Sequence, residues 1–303
     1  MSPRAPGQDN MLQQVFNTLI NASIYALFAM GYALVFGVLD ILNLAHGAIF
    51  MLGAFTAVQA VIGWHWPLVL AIPLGMVVGG AVGVVLDLVA VAPLQARGSG
   101  FLTPLISTIA AGIVFENISL GLFGPDAYSF PTSVFPQTPI TIGSAVVQPV
   151  DLFVIGLTVC LMIGLTAMLR YSTLGKAIRA VAANRLAAQL LGINVARTVA
   201  ITFFLASALG ALAGIFYGLE LQDSISFNMG GSVQLRGLAV IVVGGMDSIP
   251  GVMLGALALA ASETIGITEI GSSYTDAIAF GLLFLILIVR PSGILGRRGS
   301  RVV

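Results

Sequence analysis

Charge is what this chain lacks. Twelve Lys and Arg and twelve Asp and Glu stand among 303 residues, where an average soluble domain of that length carries about 75 charged side chains. So few cannot clothe a soluble exterior. The shortage excludes a soluble globular enzyme and a disordered chain. It also excludes a nucleic-acid binder, which needs a basic face. The single cysteine, Cys160, excludes a disulfide framework and a thiolate metal cluster. Two histidines, His46 and His65, stand far apart and match no zinc spacing. Lys176 is the one lysine. No phosphate-binding G-x-x-x-x-G-K-[ST] loop, no H-E-x-x-H and no G-x-S-x-G occurs. No residue set for ATP hydrolysis or a catalytic metal can therefore be read.

What is present is apolar. Hydrophobic residues make up 58% of the chain and the mean hydropathy is +1.06. The 36 glycines exceed the roughly 21 of an average chain, and glycine lets membrane helices approach closely. The apolar runs are continuous rather than alternating, which disfavours a transmembrane barrel. The predicted fold is all-α, a polytopic transmembrane helical bundle. A crossing needs about 20 apolar residues. Candidate spans are 12–37, 41–62, 68–92, 102–123, 152–169, 199–219, 233–246, 252–267 and 274–289. The first run is too long for a signal-peptide core. The first or second run could instead dip into the bilayer, so the expected count is eight or nine. Residues 1–11 read as a polar tail, 12–296 as one membrane domain and 297–303 as a basic tail.

Basic residues mark the cytoplasmic side. Arg97 forms one group, Arg170, Lys176, Arg179, Arg185 and Arg197 a second, and Arg290, Arg297, Arg298 and Arg301 a third. Nine crossings put all three inside and the amino terminus outside. Asp126, Glu220, Asp223, Glu269 and Asp276 then lie in or beside outward loops. The proline-rich segment 124–149 has no Lys or Arg and reads as an outward loop with little regular structure. A faint internal echo links 35–54 with 243–256.

Segment 170–197 is the most informative stretch. Lys176 to Leu191 holds strong helix formers with no Pro or Gly, between Gly175 and Gly192. Gly192 suits the left-handed position after a helix end. Ala180, Ala183, Ala187, Leu190 and Leu191 fall three or four apart and are predicted to share a face. Arg179, Asn184, Arg185 and Gln189 are polar. Such a helix fits a groove on another protein; a solvated connector obeying the positive-inside rule is the plainer reading of these residues alone.

Five segments resemble the Liv-type permeases of bacterial ABC importers for branched-chain amino acids. They are Asn43-Leu-Ala-His-Gly47, Arg170-Tyr-Ser-Thr-Leu-Gly-Lys-Ala-Ile-Arg-Ala180, Leu190-Leu-Gly-Ile-Asn194, Val243-Gly-Gly-Met-Asp-Ser-Ile-Pro-Gly251 and Arg290-Pro-Ser-Gly-Ile-Leu-Gly296. Leu44 replaces the usual Phe, and Asp247 stands where Gly is commoner. The resemblance implies an inner-membrane subunit forming half of a path for leucine, isoleucine and valine. It implies a second permease subunit, two cytoplasmic ATP-binding subunits and a periplasmic binding protein. ATP would be bound by the partners and no cofactor by this chain. The helix bearing Gly175, Lys176, Arg179, Ala183, Asn184, Ala187, Leu191 and Gly192 would then couple to an ATPase. Urea, short amides or another amino acid are the neighbouring substrate readings. An ion-gradient carrier would need paired intramembrane charges, and an intramembrane enzyme a reactive cluster.

Polar residues inside apolar runs usually face a bundle interior or a pathway. The candidates are Asn43 and His46 near the inner end of the second run, and Glu116 and Asn117 inside the fourth. Glu116 is the acidic group deepest in a span. Asp87, Arg236 and Glu263 are further intramembrane charges. Helix packing is the plain alternative for each, and His46 fits a helix pin better than a titrating group. Gly244 and Gly245 open a turn whose freed backbone groups could meet an amino acid's carboxylate and amine, or simply reverse the chain.

Overall fold

The computed structural model describes residues 8–98, 100, 102–136, 138–220, 225–245, 248–269, 275–290 and 293–295. Residues 1–7 and 297–303 of the predicted tails, Asp223, Met246 and Asp247 lie outside the described residues. The helices are α1 (Gln8–Leu39), α2 (His46–Ile62), α3 (Leu68–Leu86), α4 (Ala92–Ala96), α5 (Leu102–Phe123), α6 (Pro149–Tyr171), α7 (Thr173–Ala183), α8 (Arg185–Leu190), α9 (Val195–Glu220), α10 (Met229–Gly244), α11 (Ile249–Glu269) and α12 (Thr275–Val289). Each apolar run overlaps a helix, though residues 41–45 of the second are not helical. Six helices are long and apolar enough to cross a membrane, and α2 and α10 are shorter apolar helices. The α1 helix begins at Gln8, inside the stretch expected to be a polar tail.

Two long helices hold the centre. The most apolar window of α1 is 89% buried, against 17% for α5. A helix that is apolar all round needs neighbours all round, and α1 has α6, α9, α10 and α11 around it. Phe28 and Tyr32 of α1, Phe50 of α2, and Phe203 and Phe216 of α9 are among the largest fully buried side chains. The second central helix, α9, packs on α1, α2 and α3. Its contact with α3 relies on small residues. A Cβ at Gly79 would collide with Ala211, and one at Gly83 with the Ser207 hydroxyl. Without a hydrophobic drive between helices in lipid, this close backbone approach supplies the packing.

The carboxy-terminal end of α3 winds into a π turn, Asp87–Val91, before α4. The Ala92 N–H donates to the Asp87 carbonyl. The Ser107 hydroxyl of α5 donates to the Ala90 carbonyl at 2.9 Å, taking up an oxygen at the widened turn.

The loop 124–148 is more ordered than its prolines predict. Strands β1 (Ile140–Ile142) and β2 (Ala145–Val147) pair antiparallel around Gly143 and Ser144. Ala145 and Val147 are buried, and the Gln13 side chain of α1 accepts from the Val146 N–H. The hairpin therefore caps the end where α1 begins. Trp64 and Trp66, exposed between α2 and α3, suit an interfacial aromatic belt. At the other end the basic groups converge: Arg185 bonds Gln95 of α4, and Arg170, Arg179, Ser248 and Leu295 line one groove.

Candidate functional site

The segment after α6 forms an elbow. Ser172 caps α7, its hydroxyl accepting from the Gly175 N–H at 2.9 Å. A Cβ at Gly175 would collide with the Met168 and Leu169 carbonyls, so the tight α6–α7 corner requires glycine. Gly175, Ile178 and Val181 face inward, while Lys176, Arg179 and Ala183 are exposed.

The predicted continuous helix from Lys176 to Leu191 is broken. Asn184 is extended (φ −162°, ψ 111°) and its Oδ1 accepts from the Ala187 N–H at 2.9 Å. An Asn side chain that caps a new helix competes with continuing the old one. Beyond it α8 buries Ala188 and exposes Leu186, Ala187, Leu190 and Leu191. Of the predicted common face, Ala183, Ala187, Leu190 and Leu191 are exposed, whereas Ala180 is half-buried. Leu190 and Leu191 are 81% and 80% exposed, although they stand at the polar end of the molecule. Gly192 has φ +80° and ends α8 as predicted. Asn194 then caps α9, its Oδ1 accepting from the Arg197 N–H.

Arg185 alone among the elbow's cations turns inward. Its Nη1 donates to Gln95 Oε1 at 2.7 Å. Burial pulls its pKa below the ordinary arginine range, and the Asp87 carboxylate opposes that shift.

A second constellation surrounds the break between α1 and α2. Residues 41–45 are not helical, yet they are largely buried, where every backbone group needs a partner. The Leu44 N–H donates to Thr108 Oγ1 of α5 at 3.1 Å, and the Leu44 carbonyl accepts from Gln234 Nε2 of α10. Gln234 Oε1 in turn accepts from the Gly47 N–H at 2.7 Å. The Asn43 Oδ1 accepts from the Ala45 N–H. His46 is wholly buried, its Nε2 3.3 Å from the Phe28 carbonyl and its ring between Phe28 and Tyr32. The ring fills space left by Gly31 and Gly210. Asn43 and His46 thus sit inside the protein, held by α1, α5 and α10.

The other predicted pathway residues do not join them. Glu116 is half-buried and Asn117 exposed, on the outer side of α5. The Asn117 amide donates to the Ile113 carbonyl of its own helix. Gly244 ends α10 and Gly245 caps it. Gly245 adopts φ +103°. The neighbouring carbonyls of Val243 and Gly244 accept from the Ile294 and Leu295 N–H groups, so the chain's own end occupies what a ligand would use.

One arrangement was not readable from the sequence. Arg236 and Glu263, noted there as separate charges, form an ion pair at 3.2 Å. Tyr25 donates to Glu263 Oε2 at 2.7 Å. The cluster ties α1, α10 and α11 together. Residues 25 and 263 are separated by 238 positions, and no spacing rule spans that distance.

The family described as "Branched-chain amino acid transport system / permease component" matches residues 14–287. The chain is 35% identical over 300 residues to the high-affinity branched-chain amino acid transport system permease protein BraD of Pseudomonas aeruginosa, covering 94% of this chain and 96% of that protein. It is 34% identical over 297 residues to the corresponding LivH of Escherichia coli, with the same coverage of 94% and 96%. It is 29% identical over 303 residues to the probable LivH permease of Methanocaldococcus jannaschii, covering 92% and 90%. No solved structure matches the chain. The extent of these matches, and the multi-pass helical bundle, place the chain in the family of branched-chain amino acid transport permeases.

Proposed function

We propose that this chain is the inner-membrane permease subunit of an ATP-driven importer, forming half of the path for leucine, isoleucine and valine. The observation that carries the mechanism is the elbow: Leu186, Leu190 and Leu191 exposed at the basic end, on a chain with no ATP-binding loop of its own. An exposed apolar patch marks a docking surface. Two cytoplasmic ATP-binding subunits, one for each permease, seat on Ala183, Ala187 and Leu191, with Lys176 and Arg179 at the rim. Gly175 and Gly192 fix the two ends of the seat. Asn184 fixes its bend. ATP binding at the partners biases the bundle between inward-open and outward-open arrangements through this contact. ATP is held by the partners, and the chain itself needs no cofactor.

The proposed crossing number is nine. The α1 helix runs from the hairpin-capped end to the basic end, which puts the amino terminus outside. A periplasmic binding protein then meets the end bearing the hairpin and delivers the amino acid. A second permease subunit covers α5, so that Glu116 and Asn117 line the space between the two. Asn43 and His46 support that wall from within, and Gly244 and Gly245 hold the inner turn.

The test is Ala183→Glu. The variant should reach the membrane normally and lose its ATPases on affinity purification. Normal co-purification and uptake would count against docking. The buried Arg236–Glu263 pair favours a second reading, an ion-gradient carrier, since such charges serve coupling in that class. Uptake that persists with an uncoupler at constant ATP rejects that reading. Urea, short amides and other amino acids are distinguished by which ligand stimulates ATP turnover.

A further inference from the structure

Three features lie on the inner side of the elbow, the third of them outside the walls of the cavity. The first is a cavity of about 440 Å³ between the end of α1, α4 and the α7–α8 joint, with Asp40, Ile41, Gln95, Ala183 and Arg185 in its walls. The second is the Arg185–Gln95 hydrogen bond, a side-chain bond that links α8 to the α3–α4 rod. The third is Asp87, 2% exposed, whose Oδ1 has no hydrogen-bond partner among the described residues. Asp87 opens the π turn, and π turns interrupt α-helices at positions that move or bind. Leaving a buried carboxylate oxygen unmet is costly, and Arg185 is a cation already bonded to the same rod through Gln95.

We propose that Arg185 is the positioning residue that carries the elbow's movement into α3, by leaving Gln95 and closing onto the Asp87 carboxylate as the cavity beneath the elbow collapses. The proposal rests on the reading of the elbow as the ATPase seat. Arg185 lies on the inner side of that seat, and its partners are intramolecular. Pressure from the ATPase moves the α7–α8 joint into empty space. The guanidinium then satisfies the Asp87 oxygen and pulls on the π turn, where α3 has exchanged its regular hydrogen-bond register for a looser one. Ser107 connects the same turn to α5, so the pull reaches the helix that faces the second permease. Arg serves here better than Lys because its planar fork can exchange one partner for another without leaving either region.

The experiment uses the assembled transporter in liposomes, with its binding protein and L-leucine, and reads leucine imported per ATP hydrolysed. Arg185→Gln and Asp87→Asn should each retain the ATPases and their turnover while the ratio falls by about tenfold, a usual size for coupling between sites. The double variant should be no worse than the lower single one, because both remove the same contact. Arg185→Lys should recover part of the ratio. Gln95→Ala leaves Asp87 and Arg185 in place and serves as the gentle variant. It releases Arg185 toward Asp87 and should raise ATP turnover in the absence of binding protein. An unchanged ratio in either single charge variant overturns the proposal. So do additive losses in the double variant, or unchanged turnover in Gln95→Ala. Loss of the ATPases from Arg185→Gln overturns it too, since the side chain would then belong to the seat itself. If the unmodified chain brings down no ATPase, the functional reading falls first and this one with it.

Discussion

Glu263 is 2% exposed, and both of its oxygens are engaged, one by Arg236 and the other by Tyr25. Removing one partner from a buried pair strands the other charge, at a cost of about 3–5 kcal/mol. Glu263→Ala should therefore lower the melting temperature of the detergent-solubilised protein sharply. Tyr25→Phe should lower it less, by the loss of one charge-assisted bond worth about 1.5–3 kcal/mol. A combined Arg236→Met and Glu263→Leu variant should recover much of the loss, because no buried charge is then unmatched. A melting temperature unchanged by Glu263→Ala would remove this cluster from the account of stability. At this scale the sequence showed which residues are unusual but not what they meet. Asn43, His46, Arg236 and Glu263 were all visible as polar groups in apolar runs. For His46 and Glu263 those partners lie on other helices: Phe28 is 18 positions from His46, and Tyr25 is 238 from Glu263. Pairing of that kind is created by helix packing, which hydropathy does not encode.

The helices were the most legible elements, because the longer apolar runs reach the roughly 20 residues of a crossing and all are continuous enough to need no periodicity. Two elements escaped. The β1–β2 hairpin was hidden by the prolines around it, although Gly143-Ser144 between two β-branched stretches is itself a hairpin signal. The elbow was hidden by composition. Alanine and leucine on both sides of Asn184 favour an unbroken helix, and only the side-chain cap at Ala187 interrupts it. Asn184→Ala should cost α8 about 1 kcal/mol and allow α7 and α8 to fuse. Fusion would change the direction in which α8 leaves α7 and so carry Leu190 and Leu191 out of their present place at the elbow. Affinity purification should then recover less ATPase, while Asn184→Ser and Asn184→Asp, which preserve the cap, should recover the normal amount. Equal recovery across all three would mean that the bend has no part in docking.

At the scale of the whole molecule, the grouping of basic residues was readable in the charge pattern alone, and the basic ends of α4, α6 and α8 do converge. What covers the bundle was not readable, and two peripheral helices now separate the possibilities. Both α5 and α6 present wide uncovered faces, their most apolar windows being 17% and 22% buried. The exposed positions along the middle of α6, including Val159, Cys160 and Ile163, carry no charge. That face suits lipid. On α5 the apolar positions Ile113, Val114 and Ile118 are interrupted by Glu116 and Asn117. An acidic side chain facing hydrocarbon costs about 2.5–3.5 kcal/mol at a helix centre, so a second subunit or the water between two subunits should cover it. A photo-crosslinking side chain at Asn117 should join this chain to a second permease subunit in the assembled transporter. The same group at Ile163 on α6 should capture lipid. Glu116→Leu should stabilise an isolated subunit in detergent, where the carboxylate meets an apolar belt, yet impair uptake by the complex. Crosslinks to lipid from Asn117, with uptake by Glu116→Leu unimpaired, would place α5 on the outer rim and leave the path to be sought along another helix.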